Sequence, residues 1–152
     1  MIALLSPAVP DSNWTRLCNT IVKTIPLESI GIFQTLESFY NRIRQGRTDI
    51  TAAVVFASDR QDIIKLQGIR ELISDMRMIM ILPDAEEESV KMGHSYYPRY
   101  ISFTDSTFED VAAVLQKIIS NTRKDSTPPN DRQIKKNKLE MTLNTEDPTP
   151  QI

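Results

Sequence analysis

The chain has 152 residues, which is the size of one ordinary domain with a terminal extension. Hydrophobic residues make up 40% of it and charged residues 25%, so the composition excludes wholesale disorder. Eighteen Lys and Arg residues against twenty Asp and Glu residues give a formal net charge of -2. That balance does not indicate a nucleic-acid surface or an acidic substrate.

Cysteine usage and the lengths of the apolar runs bear on the compartment. The single cysteine, Cys18, excludes an internal disulfide framework and fits a reducing compartment. The opening "MIALLSP" is too short and too uncharged for a signal peptide, and no run approaches the roughly eighteen apolar residues of a membrane helix. We therefore expect a cytoplasmic protein whose partner is neither nucleic acid nor a membrane.

Short apolar runs alternate five times with amphipathic stretches, a pattern typical of a parallel sheet covered by helices on both faces. The first predicted strand is "IALL" (residues 2–5). Residues 11–13 offer N-caps for a helix whose apolar stripe covers residues 14–25. "SIGIFQT" predicts the second strand, and "LESFYNRIRQG" predicts a helix that ends at Gly46.

The middle of the chain holds the most continuous apolar run. "ITAAVVFAS" predicts the third strand, and because residues 52–57 are all apolar we expect it to be central and buried on both faces. "RQDIIKLQGIRELISD" predicts one helix, which Gly68 weakens by roughly 1 kcal/mol relative to alanine. "MRMIMILP" predicts a fourth strand that ends at Pro83.

The last third of the chain predicts one strand between two helices. "AEEESVKMG" predicts a short acidic helix, and "RYISF" predicts the fifth strand. Ser106 and Glu109 have the spacing of a capping box before the final helix. The apolar periodicity ends near Asn121, so we predict a domain over residues 1–121 and a disordered tail, rich in polar residues and proline, over residues 122–152.

The order and lengths of these elements, with "DITAAVVFASD" as the third strand, resemble the receiver domain of bacterial response regulators over residues 1–121. The resemblance implies an α/β fold with a five-stranded parallel sheet, doubly wound in the order 2-1-3-4-5, in a flavodoxin-like three-layer sandwich. It also implies that the fourth helix, fifth strand and fifth helix form a surface that docks a protein partner or a second copy.

The same resemblance implies four chemical groups at strand ends. These are an acidic pair after the first strand, an acceptor aspartate ending the third, a serine or threonine ending the fourth and a lysine ending the fifth, which together hold Mg²⁺ and a phosphoryl group. The corresponding positions here are Leu4 to Pro7, Val54 to Phe56, Leu82 with Pro83, and Phe103 with Thr104. We therefore expect a pseudo-receiver, without phosphotransfer, metal, cofactor or enzymatic activity.

Asp59, just after the third strand, has two interpretations. It precedes a predicted helix by one residue and has Asp62 three positions on, which is the pattern of an N-cap worth about 1 kcal/mol. The alternative is a phosphoacceptor displaced by a few residues. We favour the cap, because a phosphate on Asp59 would have neither the acidic pair nor the lysine to stabilise it.

"GHSYYPRY" gathers aromatic residues and an arginine, types that are over-represented at binding hot spots, before the fifth strand. Pro98 restricts Tyr97 to an extended conformation and so favours a defined loop. The residues that we predict to contact a protein partner or a second copy are His94, Tyr96, Tyr97, Arg99, Phe103 and Phe108. The simpler interpretation is that one or two of the tyrosines pack on the sheet edge and the others are ordinary surface.

Two other functions stay open. A flavodoxin-like sensor would bind a small molecule or nucleotide at the carboxyl ends of the strands. Its candidate residues are Ser6, Ser58, Asp59, Asp84 and Thr104. An enzyme would rely on Asp59 and Asp84, two carboxylates at neighbouring strand ends.

Several site types are excluded or disfavoured. The lone His94 excludes Ser-His-Asp triads and multi-histidine metal sites, and Cys18 lies on a helical apolar stripe, which indicates a buried thiol. The four glycines match no phosphate-binding loop. "SPAVPDSN" has two prolines that remove amide donors, so the flavin site of a flavodoxin is not expected.

Overall fold

The structure, a computed structural model, describes residues 1–46 and 49–125, with side chains as far as residue 122. Residues 1–119 form one compact unit that contains all the strands described below. The predicted tail lies, from residue 126 onward, outside the described residues.

Five strands form one parallel sheet. They are β1 (Ile2–Leu5), β2 (Ile30–Phe33), β3 (Ala52–Phe56), β4 (Met78–Leu82) and β5 (Tyr100–Phe103). The helices are α1 (Ser12–Val22), α2 (Leu36–Gln45), α3 (Arg60–Lys65), α4 (Arg70–Ile73), α5 (Glu87–His94) and α6 (Glu109–Asp125). The strand order β2-β1-β3-β4-β5 confirms the predicted doubly wound α/β fold of flavodoxin-like type.

Each face of the sheet carries its own core, because successive side chains of a strand point to opposite faces. The core under α1 and α6 includes Leu4, Val54, Ile79, Trp14, Leu17 and Leu115. The core under the other four helices includes Leu5, Val55, Met80, Phe39, Ile63 and Ile73. Every residue of β3 and β4 is buried, so the prediction of a central third strand is confirmed.

Side-chain caps define where three helices begin. Asp11 caps α1 by accepting a hydrogen bond from the amide of Trp14 at 3.1 Å. Asp59 caps α3 in the same way, with its Oδ1 3.0 Å from the amide nitrogen of Asp62. Thr35 caps α2. The interpretation of Asp59 as an N-cap is confirmed.

The sequence predicts a single helix after β3, and this prediction is wrong. α3 ends at Lys65, a 3₁₀ turn spans Leu66–Ile69, and α4 begins at Arg70. Gly68 lies within the tighter turn, and both ends of that turn are buried against the sheet. A 3₁₀ turn places residues three apart on the same side, which lets the segment keep its apolar contacts across the break.

The predicted capping box at Ser106 and Glu109 is also wrong, because α6 begins at Glu109 itself. The Ser106 hydroxyl accepts the amide of Phe108 at 2.9 Å and donates to Asp110 at 3.0 Å. Phe108 has a φ of +67°, a left-handed conformation, and its side chain is fully buried. The local turn that brings this ring into the core thus occupies the hydroxyl that would have capped the helix.

Neighbouring isoleucines of α3 test the packing of the sheet. Ile63 is 0% exposed and Ile64 is 41% exposed. We expect Ile63→Ala to lower the free energy of unfolding by about 2–5 kcal/mol, because it leaves a cavity against the sheet. Ile64→Ala, which makes the same change in helix propensity, is expected to cost about 1 kcal/mol or less. Chemical denaturation of both variants measures the difference, and equal losses would contradict the described orientation of α3.

Candidate functional site

At the carboxyl ends of β1 and β5, where receiver chemistry would lie, the polar side chains are hydroxyls. After β1, the Ser6 hydroxyl donates a hydrogen bond to the carbonyl of Pro7 at 3.0 Å. After β5, the Thr104 hydroxyl donates to the carbonyl of Pro83 at 3.2 Å. Within the described ranges, no three His, Cys, Asp or Glu residues are grouped so that they could hold a metal ion.

The loop after β3 is closed by two aspartates. Asp59 is exposed and accepts the amide of Asp62, while Oδ2 of Asp62 accepts the amide of Ser58 at 3.0 Å. The hydroxyl oxygen of Ser58 is buried, and among the described residues it has no hydrogen-bond partner. Asp59 therefore has a structural role at the start of α3, and Asp62 holds the same turn from within.

Asp84 belongs to a polar bridge between α3 and α5. Its pKa lies below the ordinary value of an aspartate, chiefly because the Ser89 hydroxyl hydrogen-bonds to the carboxylate. Arg60 donates to that hydroxyl at 3.0 Å and forms ion pairs with Glu86 and Glu88. These contacts give Asp84 a structural environment at the start of α5. The prediction of a sensor site or an enzyme built on Asp59 and Asp84 stays a prediction.

Tyr96 is a core residue. It is buried, and its hydroxyl donates to the carbonyl of Ile63 at 2.8 Å. The guanidinium carbon of Arg70 lies 4.5 Å from the centre of the ring, and Arg70 also donates to the carbonyl of Ser95 at 2.6 Å. Burial raises the pKa of the Tyr96 hydroxyl. We therefore remove Tyr96 from the residues expected to contact a partner and assign it the anchoring of the loop after α5.

Tyr97 points the other way and is 80% exposed. The expectation that Pro98 holds it extended is wrong, because its φ is +56°. The reason is local: the amide of Tyr97 donates to the carbonyl of His94 at 2.9 Å, which closes the last turn of α5 with a left-handed residue. That geometry lets consecutive tyrosines go to opposite sides, one into the core and one into solvent.

An open groove of about 580 Å³ runs along α5 beside Tyr97. Its lining residues are Ala85, Glu87, Val90, Lys91, His94, Ser95 and Tyr97. His94 is exposed, and so is Arg99, whose amide donates to the carbonyl of Met78 at 2.7 Å to start β5. The structure thus brings His94, Tyr97 and Arg99 to the surface around one loop.

The two phenylalanines of the predicted site lie deeper. Phe103 is half-buried against the core under α2 to α5, and Phe108 is fully buried in the other core. Phe108 makes an edge contact with Phe56, with ring centres 6.2 Å apart. Because its side chain cannot reach a partner from there, Phe108 is also removed from the candidate contacts. Phe103 remains as a partly accessible residue.

Arg16 of α1 is a structural residue that the sequence analysis missed. Its guanidinium donates to the carbonyl of Thr104 at 2.7 Å and to the carbonyl of Ser106 at 2.9 Å. The same group lies 4.9 Å from the centre of the Phe108 ring. The contacts join residues about ninety positions apart, so no local sequence signal could have indicated them.

Asp110 is a second residue that was missed. It accepts hydrogen bonds from the hydroxyls of Tyr100 at 2.8 Å, Ser102 at 3.0 Å and Ser106 at 3.0 Å. Burial raises its pKa, but the bonds from these hydroxyls and from the Val111 amide lower it by more, so the pKa lies below the ordinary value. Tyr100 and Ser102 are two positions apart in a strand, so their hydroxyls lie on one face of β5. This spacing is the sequence signal from which the cluster could have been predicted.

Cys18 is half-buried and packs against the core under α1, and burial raises the pKa of its thiol. The expectation of a buried thiol is met only in part. A raised pKa keeps the thiol protonated and so disfavours a nucleophilic role.

Comparisons with known proteins give no match: no family model, no curated protein and no solved structure matches this chain. Within residues 1–46 and 49–125, no helix has the length and apolarity that crossing a membrane requires. The fold is therefore assigned from topology, and function has to be argued from the residues themselves.

The Asp110 cluster gives a pH-dependent contribution to stability. A carboxylate whose pKa is lower in the folded state stabilises the fold above its unfolded pKa of about 3.9, and this contribution is lost as pH falls through the folded pKa. We expect Asp110→Asn to lower the free energy of unfolding at neutral pH by about 1–3 kcal/mol, because three hydroxyls lose a charged acceptor. The difference from the native protein should shrink on acidification below about pH 4.

Asp105→Asn, in the exposed turn before the same helix, is the matched control for this prediction. Urea denaturation of the native protein and both variants over a range of pH measures the effect. A loss in Asp110→Asn that stays constant down to the most acidic pH would contradict the assignment of a lowered pKa.

Proposed function

We propose that this chain is a receiver-like interaction module of the cytoplasm, which docks a protein partner through α5, β5 and the loop between them without phosphotransfer. The single observation that carries the proposal is Tyr97, an aromatic residue that is 80% exposed in a left-handed backbone conformation.

The conformation of Tyr97 is costly. A residue other than glycine in the left-handed region costs roughly 1–2 kcal/mol, and a following proline further disfavours helical backbone angles. Glycine would serve this helix end at lower cost. Most of the Tyr97 side chain lies in solvent, so little packing offsets this cost. An exposed tyrosine kept at such a position is typical of a binding surface.

The loop that presents Tyr97 is held in place from beneath. The Tyr96 hydroxyl bonds to α3, and Arg70 of α4 stacks on the Tyr96 ring while it bonds to Ser95. A surface that is ordered before binding loses less conformational entropy when the partner arrives. This support favours docking over the interpretation that the exposed residues are ordinary surface.

The charges around Tyr97 indicate the chemistry of the partner. Exposed His94 and Arg99 flank it, and along the groove Lys91 pairs weakly with Glu87 at 3.5 Å, where both side chains are largely exposed. Exposed pairs of this kind contribute little, so Lys91 can exchange its partner. The arrangement fits a protein segment with an apolar side chain for the groove and carboxylates for Arg99 and Lys91.

The absence of phosphotransfer is supported by what stands at the strand ends. Ser6 and Pro7 follow β1, Ala57 follows β3, and Thr104 follows β5. A phosphoryl group at this edge would lack the acidic pair after β1 that holds Mg²⁺ and the lysine at the end of β5 that pairs with the phosphoryl group. Docking in this proposal is therefore independent of phosphorylation.

The docking surface predicts a loss of affinity when its exposed residues are truncated. We expect the double variant Tyr97→Ala/Arg99→Ala to bind the partner with an affinity at least about tenfold lower than that of the native protein, because aromatic and arginine side chains dominate binding energies. Immobilised protein and lysate from the source cells identify the partner, and titration of the purified pair gives the affinity. Sedimentation equilibrium shows whether that partner is a second copy.

The matched control for this prediction is Leu27→Ala/Arg44→Ala, which removes one exposed apolar side chain and one exposed arginine from other parts of the surface. It should bind as the native protein does. Equal affinity of the Tyr97→Ala/Arg99→Ala variant and the native protein would contradict docking through this loop.

The proposal also predicts indifference to phosphoryl chemistry. Magnesium with beryllofluoride, a phosphoryl mimic, stabilises a receiver by binding its acceptor carboxylate and metal together. We expect no change in the midpoint of thermal unfolding of this protein with the pair of reagents. Asp59→Asn serves as the comparison, and a rise in the native protein that this variant abolishes would show that Asp59 binds the mimic.

A further inference from the structure

A cavity of about 280 Å³ lies between α2 and α3, at the carboxyl ends of β1, β2 and β3. It lies on the side of the sheet occupied by α2 and α3 and shares only Ser6 with the sensor site that the sequence predicted. Its inner wall is apolar and consists of Leu5, Leu36, Val55 and Leu66, which all belong to the core on that side of the sheet. Crevices at this edge of an open α/β sheet, where the strand order reverses, are the usual ligand positions of such folds.

The charged residues that line the cavity are one carboxylate and one ammonium group. The side chain of Asp62 is 11% exposed and that of Lys65 is 55% exposed. Their closest atoms are 4.0 Å apart, which is beyond hydrogen-bond distance. Asp62 also accepts the Ser58 amide, but a carboxylate has about four acceptor positions, so capacity remains for a further donor.

The other polar groups of the cavity are short and uncharged. They are the Ser6 hydroxyl, the Gln34 amide and the Thr35 hydroxyl. The Ser6 hydroxyl already donates to the carbonyl of Pro7, and the Thr35 hydroxyl already bonds to Ser38. The hydrogen-bonding capacity that remains next to the apolar wall is therefore chiefly that of the Asp62 carboxylate.

We propose that this cavity binds a small zwitterion with an apolar side chain, of the class of the apolar α-amino acids. The ammonium group of the ligand bonds to Asp62, its carboxylate pairs with Lys65, and its side chain lies against Leu36, Val55 and Leu66. Because Lys65 is more than half exposed, its terminal nitrogen can move away from Asp62 to admit the ligand.

Size and charge both favour this class. A cavity of roughly 150 Å³ holds benzene, so 280 Å³ is enough for a phenyl ring with a short polar group attached. A ligand with a single charge would satisfy one of the two charged side chains and leave the other without an ionic partner. A zwitterion matches both, and it adds no net charge to a site that has none of its own.

An NMR titration with L-phenylalanine tests the proposal, with 2-phenylethylamine and 3-phenylpropanoate as analogues that each lack one charge. We expect saturable shifts of the amide signals of Val55 and Leu66 with L-phenylalanine, and binding of either analogue that is weaker by about tenfold or more, because each loses a charge-assisted hydrogen bond. No saturable shift with L-phenylalanine, or equal binding of an analogue, would overturn the proposal.

Substitutions of Asp62 and Lys65 test which side chain binds the ammonium group of the ligand and which binds its carboxylate. Asp62→Asn keeps an acceptor for the Ser58 amide and Lys65→Gln keeps a long polar side chain, and each is expected to weaken L-phenylalanine binding by about tenfold. Asp59→Asn, three residues from Asp62 and outside the lining, is the matched control and should bind normally. Undiminished binding by Asp62→Asn would overturn the assignment of the ammonium group.

A further variant changes an exposed residue and leaves the buried side chains of the cavity as they are. Ala8 lies at the exposed mouth of the cavity, and Ala8→Trp is expected to obstruct entry and abolish the shifts without altering the core. The Tyr97→Ala/Arg99→Ala variant should bind L-phenylalanine as the native protein does, so failure of this site and failure of the docking surface are separate results. Full binding by Ala8→Trp would overturn the location of the site.

Discussion

The complete burial of β3 and β4 is the constraint on which the rest of the structure depends. These strands are apolar at every position and sit in the middle of the sheet, so both of their faces need a covering layer. Helices α1 and α6 cover one face and the remaining helices the other. The same burial shapes the carboxyl edge, since β3 is apolar up to Ala57 and the first acidic side chain after it, Asp59, caps α3.

The sequence predicts those parts of the fold that depend on local pattern. The run from Ala52 to Ala57 indicates a central strand because burial on both faces demands apolar side chains at consecutive positions. Asp11 and Asp59 are recognisable as caps because a side-chain acceptor before a helix bonds to an amide only three residues on. The position of each strand in the sheet came from the resemblance in element order, and the structure confirms it.

The features that could not be predicted depend on contacts between residues distant in sequence, or on backbone conformations that the residue type does not indicate. Tyr97 and Phe108 have positive φ values, which a tyrosine before proline and a phenylalanine do not suggest. Of the candidate contacts, His94, Tyr97 and Arg99 are exposed, whereas Tyr96 and Phe108 are core residues. Residue type alone does not separate the two cases, because aromatic side chains contribute to both cores and interfaces. The cavity between α2 and α3 joins residues from four chain segments and has no linear signature.

The contacts of Arg16 have a consequence for how the chain folds. This residue belongs to α1 but bonds to carbonyls that follow β5, and Phe108 packs against Phe56 in the core beneath it. During synthesis from the amino terminus, β1, β3 and β4 emerge while one of their faces still lacks α6. Contacts this distant in sequence form late and slowly. The nascent chain therefore exposes apolar surface on that face until α6 is made, and in that interval it is more open to aggregation and to capture by chaperones.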